Sequence, residues 1–321
     1  LVGNPLTENE FQIRLNDLKD KIDVLNHEAA RTLLLKCTDV IKFTLRTNFF
    51  NEKRYSFALR MDPIFLVPSD IPMPFGVIFA CGRNFQFYHT RFKDISRGGF
   101  RVVTPPTTAQ HGVESSRIFG ECYGLSYAQQ LKNKDIPEGG SKAVCLVNVT
   151  QLPESDRYEE ARKAIRASVD AILDLTVDDS IKSMKDFYSK QEIIYLGPDE
   201  QVTIEDIDWI CNRAKLRGYP FPSSFMSGKV GAGINHKEYG VTSEGIVIYL
   251  KMALKRVLGI DPYTTPFSVK ITGGPDGDVG GNLIKILFRE FPNTAKIVGV
   301  ADGMGVAEDP NGLHSKELLR L

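Results

Sequence analysis

The chain predicts an α/β fold in about two domains, and three observations carry that expectation. Its 321 residues exceed a single domain of roughly 150. Short β-rich runs give way after residue 91 to helical segments that alternate with apolar strands. Finally, Phe267 to Thr272, a glycine-rich turn, Gly280 to Arg289 and Lys296 to Val300 read in order as strand, turn, helix and strand.

Taken from the start, Phe11, Ile13, Leu15, Leu18, Ile22 and Leu25 recur with helical spacing, and a second apolar series runs from Leu33 to Ile41. Two helices therefore precede the first sheet. Between Tyr55 and Arg91 the pattern becomes β-rich, notably over Phe75–Ala80 and Phe85–His89, with Pro, Asp and Gly as breaks. Arg117 to Leu131 returns to helix, and Ala143 to Val149 has the length of a buried strand. Tyr158, Ala161, Ile165, Val169 and Ile172 place an apolar stripe on a charged helix. Glu192 to Leu196 predicts a short strand, so that Asp199 lies just past its end. Thr203 with Asp206 forms a capping-box pattern for the next helix. Residues 228–233 read as a glycine-rich loop, and Thr242 or Ser243 as the cap of a helix that runs to about Leu258 and connects the two domains.

Lys plus Arg equals Asp plus Glu at 40 each, which removes the electrostatic footprint of a nucleic-acid or anionic-membrane binder. A small-molecule partner is favoured, with no nucleic acid and no membrane. No apolar run reaches the roughly 20 residues of a membrane-spanning helix. The five cysteines are scattered without metal or redox spacing and read as reduced, mostly buried thiols. The five histidines and Trp209 read as packing or surface residues, and no metal site is expected. The chain begins with Leu1 and reads as part of a longer intracellular protein, mitochondrial or cytoplasmic.

The segment Ile271 to Asn282 carries glycines between a strand and a helix. In that setting glycine permits a tight turn and lets backbone amides approach a pyrophosphate at the helix N-terminus. Gly274, Gly277 and Gly280 are the candidates for cofactor contact. A purely structural turn stands beside this reading, because the spacing departs from a strict dinucleotide fingerprint. Asp302 follows the next strand at the distance where an acid hydrogen-bonds an adenosine ribose, and its charge disfavours a 2′-phosphate, pointing to NAD.

Cations also flank glycines in Ser96-Arg97-Gly98-Gly99-Phe100-Arg101, in Gln130-Leu131-Lys132-Asn133 and in Glu138-Gly139-Gly140-Ser141-Lys142-Ala143. By spacing alone these are anchors for a dicarboxylate or ordinary surface cations on turns. Together with Tyr195-Leu196-Gly197-Pro198-Asp199-Glu200 and the glycine-rich turn, their order resembles the glutamate dehydrogenase family over about Arg91 to Asp302. Arg97 before Gly-Gly, with Gly-Pro-Asp-Glu later, resembles the large NAD-specific branch.

The resemblance implies a substrate domain with a mixed sheet, followed by the start of a Rossmann-type dinucleotide-binding domain. Residues 1–50 would be a helical N-terminal segment, 51–265 the substrate-binding catalytic domain and 266–321 the truncated cofactor domain. It implies catalytic Lys142 and Asp199, Lys132 on the substrate α-carboxylate, Arg97 on the distal carboxylate and Thr242 on the nicotinamide amide. The reaction implied is reversible oxidative deamination of L-glutamate to 2-oxoglutarate and ammonium with NAD, in a homo-oligomer. Ala143-Val144 departs from the family's second Gly-Gly, which reshapes that loop. Two alternatives remain: a dehydrogenase of leucine, phenylalanine or valine, which Arg97 disfavours, and a non-catalytic ligand-sensing module.

Overall fold

In a computed structural model, residues 6–177, 184–229, 233, 234, 236 and 238–321 are described. The chain forms two compact units, Leu1–Lys229 and Val230–Leu321.

The first unit opens with helices α1 (Glu8–Asp23) and α2 (Glu28–Lys42). A reciprocal capping box between Thr7 and Glu10 starts α1. Strands β1 (Thr44–Thr47), β2 (Phe57–Met61), β3 (Gly76–Cys81), β4 (Phe85–Arg91) and β5 (Ser96–Val103) follow, then helix α3 (Thr108–Gln130) and strand β6 (Gly139–Val147). Helix α4 (Glu154–Thr176), strands β7 (Lys185–Asp186) and β8 (Tyr195–Pro198) and helix α5 (Ile204–Leu216) complete the unit. Thr203 and Asp206 cap α5 as their spacing predicts. Among the described residues the strands form one eight-stranded mixed sheet in the order β7-β1-β2-β3-β4-β6-β5-β8. Pairing is antiparallel as far as β6 and parallel across β6, β5 and β8.

Each face of the sheet is covered differently. Ala58, Ile78, Phe87, Phe100 and Ala143 lie on one face in a core with α4 and α5, including Ile165, Ile172 and Ile210. Val144 and Leu146 pack on the other face against Ile118 and Cys122 of α3. Alternation along β5 sends Ser96, Gly98, Phe100 and Val102 into the protein and leaves Arg97, Gly99 and Arg101 half-buried.

Three arginines converge on one carboxylate at the margin of this sheet. Glu192 Oε1 accepts from Arg60 Nε at 2.9 Å and from Arg91, while Arg46 lies 3.5 Å from Oε2. Arg60, Arg91 and Glu192 are all 1% exposed. Burial, with Arg91 and Arg60 nearby, pushes the neighbouring His89 down to about 3, so this histidine is neutral.

The second unit contains helix α6 (Val241–Val257), strand β9 (Phe267–Thr272), helix α7 (Gly280–Glu290), strands β10 (Ala295–Ala301) and β11 (Val306–Glu308) and helix α8 (Ser315–Arg320). Parallel β9 and β10 with α7 between them form the expected βαβ unit, and β11 adds antiparallel to β10.

Several expectations are corrected. The division falls at 229/230 and not at 265, because Val247 and Leu254 of α6 are buried in the same core as Ile271, Ile284, Leu287 and Val300. Helix α6 thus belongs to the second unit and is not a connector. Residues 1–50 are no separate segment, since β1 is already in the sheet. Gly240, in the left-handed region at φ 58°, caps α6 in place of Thr242 or Ser243. Helix α3 starts nine residues before Arg117, at Thr108, capped by Thr107. Of the predicted loop at 228–233, residues 230–232 lie outside the described set. Among the described residues no helix is long and apolar enough to cross a membrane.

Replacing Glu192 by Gln keeps the shape but leaves Arg60 and Arg91 without their shared counter-charge. Breaking a buried pair from one side costs about 3–5 kcal/mol. Urea unfolding of Glu192→Gln should show a loss of that order, and a loss below about 1 kcal/mol would mean the cluster is solvated.

Candidate active site

The glycine segments around Arg97 and Lys142, expected as turns, are strands. Gly98 of β5 lies so close to β6 that a Cβ there would sit 1.5 Å from the carbonyl oxygen of Ser141. Glycine serves here for close strand approach and not for a turn. At the next residue a Cβ would come within 3.0 Å of the Asp199 Cβ and 3.1 Å of Lys142 Nζ. The bare Gly99 backbone is the floor of the space in which these two side chains meet.

Lys142, in the middle of β6, donates a hydrogen bond to Asp199 Oδ2. Asp199 follows directly on β8, and its backbone N–H donates to the Phe100 carbonyl at 3.2 Å. Residues 57 positions apart in sequence are thus joined by the parallel β6-β5-β8 pairing. The lysine side chain is 7% exposed and the aspartate 31%. Behind the lysine, Cys122 Sγ of α3 donates to the Lys142 carbonyl at 3.3 Å, and burial pushes that thiol up to about 11, so it packs as a neutral group.

Arg101 completes this cluster, and sequence reasoning missed it. Its Nε lies 3.7 Å from Asp199 Oδ2 and 3.5 Å from Glu200 Oε2, while Nη1 donates to Glu121 of α3 at 2.8 Å. Reading Ser96–Arg101 as a strand would have found it, because residues 97, 99 and 101 then share one face. Burial alone would raise the Asp199 pKa. The hydrogen bond and charge of Lys142, with the charge of Arg101, outweigh it and hold the carboxyl below its ordinary range.

Arg97 lies on the same strand face. Its Nη1 donates to Tyr195 Oη at 3.4 Å, and its Nη2 is 2.8 Å from Glu138 Oε1. Lys134 Nζ is 3.2 Å from the same oxygen. Glu138, quoted in the Gly-Gly-Ser-Lys segment, was given no role, and Lys134 was not singled out; the two form an i, i+4 charge pair. Lys132 behaves differently. It lies past the end of α3, exposed, with no side-chain partner among the described residues. The structure therefore brings Arg97, Lys142 and Asp199 onto one region of the sheet but gives Lys132 no contact with them.

In the second unit the predicted cofactor residues gather at the start of α7. A Cβ on Gly274 would meet Asp302 Oδ2 at 2.8 Å, and one on Gly280 would meet the carbonyl oxygens of Gly273 and Gly274 at 2.8 Å. The turn after β9 and the acid after β10 are therefore adjacent. Gly277 is less crowded, at 3.2 Å from the Gly274 carbonyl oxygen, whereas Gly281, not singled out from sequence, is tighter at 2.1 Å from the Pro275 oxygen. Asp302 Oδ1 accepts from the N–H groups of Met304 and Gly305, which leaves Oδ2 facing Gly274. Thr242 lies exposed in the first turn of α6, and Ser243 Oγ donates to the Val279 carbonyl at 2.8 Å. A cradle of bare backbone beside a helix N-terminus, with a carboxylate after the next strand, fits a dinucleotide. No group of three His, Cys, Asp or Glu side chains that could hold a metal ion occurs among the described residues.

Because Asp199 is held below the ordinary carboxylate range, its pair with Lys142 stabilises the fold fully above that range. The contribution is lost as the pH falls through the lowered value. The stability gap between the wild type and Asp199→Asn should therefore narrow as the pH is lowered from about 6 to about 3. A gap independent of pH in urea unfolding would rule out this ionised pair.

A family model described as the catalytic domain of bacterial NAD-glutamate dehydrogenase matches residues 15–314. A NAD-specific glutamate dehydrogenase of Neurospora crassa is 39% identical over 284 residues, 86% of this chain and 26% of that protein. Its counterpart in Saccharomyces cerevisiae is 35% identical over 320 residues, 98% of this chain and 28% of that protein. The chain thus spans roughly a quarter of the length of these relatives. Among solved structures, a hetero-hexameric glutamate dehydrogenase from Thermus thermophilus in a leucine-bound form aligns with a TM-score of 0.51 at 19% identity. That alignment covers 100% of this chain and 64% of that one, and shows a shared fold.

Proposed function

Since this chain belongs to the family of bacterial NAD-glutamate dehydrogenase catalytic domains, we propose that its protein oxidatively deaminates L-glutamate, reversibly, to 2-oxoglutarate and ammonium with NAD. The observation that carries the reading is the Lys142–Asp199 pair, set between Arg97 and Arg101 on one face of β5.

Arg97 takes the distal carboxylate, for which its planar fork is suited. Lys132, uncommitted at the end of α3, takes the α-carboxylate. Two anchors at opposite ends of a five-carbon substrate fix the position of the α-carbon between them, and much of the rate comes from that orientation. Gly274, Gly277, Gly280 and Asp302 would hold NAD, with Thr242 toward the nicotinamide amide, and NAD when bound would supply the hydride acceptor. Once the α-ammonium has given a proton to solvent, loss of hydride from the α-carbon leaves an iminium. Lys142 takes a proton from the water that attacks it, and the resulting carbinolamine breaks down as Asp199 relays a proton to the departing amine. Ammonia leaves and the carbonyl of 2-oxoglutarate remains. Arg101, 3.7 Å from Asp199 Oδ2, holds the carboxyl in place and favours its return to the ionised form once the proton has passed on.

An apolar amino acid would bring no group to the Arg97 fork, whereas a dicarboxylate brings one that matches it. The Thermus thermophilus neighbour is a hetero-hexamer; for this protein we propose a homo-oligomer.

The test is NADH formation by the full-length protein with glutamate, leucine or no substrate. Glutamate-dependent activity that falls about 10²–10⁴-fold in kcat in Lys142→Ala is the expected outcome. Activity with leucine alone would move the assignment to another amino-acid dehydrogenase. A folded, NAD-binding protein with no activity would be a sensing module.

A further inference from the structure

The arginine that would hold the substrate's distal carboxylate already holds one of the protein's own. Glu138, between α3 and β6, is 6% exposed, and its Oε1 lies 2.8 Å from Arg97 Nη2 and 3.2 Å from Lys134 Nζ. Despite two cations within contact distance, this buried oxygen accepts no well-directed hydrogen bond. The carboxylate is thus held by charge and not by alignment, and such contacts are weaker than a directed charge-assisted bond. Lys134 is itself 16% exposed and spends one N–H on the Gly139 carbonyl at 3.1 Å, which ties its ammonium to the start of β6. Arg97 remains 39% exposed and so is open to a ligand from solvent.

Counting charges shows what this arrangement does. Arg97, Lys134 and Glu138 sum to one positive charge, enough for one added carboxylate. If that carboxylate takes the Arg97 fork, Glu138 must give up its place there. A buried carboxylate left without a cation is costly, but Lys134 already touches the oxygen that would be released. A monocarboxylate substrate brings no group to exchange, and Glu138 stays on Arg97.

We propose that Glu138 and Lys134 set the selectivity of this site for dicarboxylate substrates. Glu138 is an internal competitor for Arg97, and Lys134 is the cation that receives Glu138 when the substrate displaces it. The inference rests on the reading of Arg97 as the distal-carboxylate anchor. Both residues act through Arg97 and are positioning residues.

The measurement is the ratio of kcat/KM for glutamate to that for norvaline, which has the same carbon chain without the distal carboxylate, in the full-length protein. Glu138→Gln removes the competitor with little change of shape and should raise the ratio severalfold, mainly through a lower KM for glutamate. Lys134→Gln strands Glu138 and should lower it about tenfold or more, again in KM. Lys134→Arg should bring it back. Thermal melts of each variant separate these effects from loss of fold. If a folded Glu138→Gln variant lowers the ratio, or the variants change both substrates equally, the proposal is overturned. Arg97→Gln distinguishes the underlying reading: if it leaves the ratio as in the wild type, Arg97 is not the anchor and both statements fall. If Arg97→Gln collapses the ratio while the Glu138 and Lys134 variants leave it alone, only the competitor is refuted.

Discussion

The site depends on how closely β5 approaches β6. Backbone hydrogen bonds hold paired strands at a fixed spacing while side chains stand above and below the sheet, but at Gly98 the Ser141 carbonyl occupies the space of a Cβ. The same register places Gly99 beneath Lys142 and Asp199 and puts Arg97 and Arg101 on either side. Four ionisable groups from three strands can then share a small area without a side chain beneath them. A methyl group at either glycine would displace backbone or the Lys142–Asp199 pair, and packed interiors absorb such additions poorly.

Around that floor the charges follow one pattern: each important carboxylate faces more than one cation. Asp199 faces Lys142 and Arg101, Glu138 faces Arg97 and Lys134, and Glu192 faces Arg46, Arg60 and Arg91. Two of these serve the site and the third supports the sheet, but the physical reason is common. Removing a carboxylate from water is costly, and a single cation seldom offsets the loss of hydration for both partners. A second cation keeps the anion ionised while the first is free to act on a ligand. At Asp199 this excess shows directly, since the carboxyl titrates below its ordinary range despite burial.

The second unit uses glycine for a different purpose. Gly280 and Gly281 bring the start of α7 onto the turn after β9, with carbonyl oxygens where side chains would otherwise point. The aligned dipoles of α7 and the bare backbone then favour an anion there. Asp302 Oδ2 stands next to Gly274, so the acid and the glycine-rich turn adjoin, although they are separated by a helix in sequence.

By itself the sequence determined what depends on near neighbours. The capping boxes of Thr7 with Glu10 and Thr203 with Asp206, the stripe of α4 and the order β9, α7, β10 are set within a few turns of chain, and the structure has them. Lys142, Asp199 and Arg97 were singled out because they stand in ordered motifs. What only the tertiary structure decided was pairing across long separations. Glycine beside a cation reads locally as a turn, yet Ser96–Val103 and Gly139–Val147 are strands, since their hydrogen-bond partners lie on distant segments. Arg101 and Glu138 stood inside the quoted segments without a role and Lys134 outside them, and their contacts became visible only once those strands were adjacent. Propensity records what a residue tolerates, whereas a charged site is a matter of which groups share a region of low dielectric, and the fold alone brings them into it.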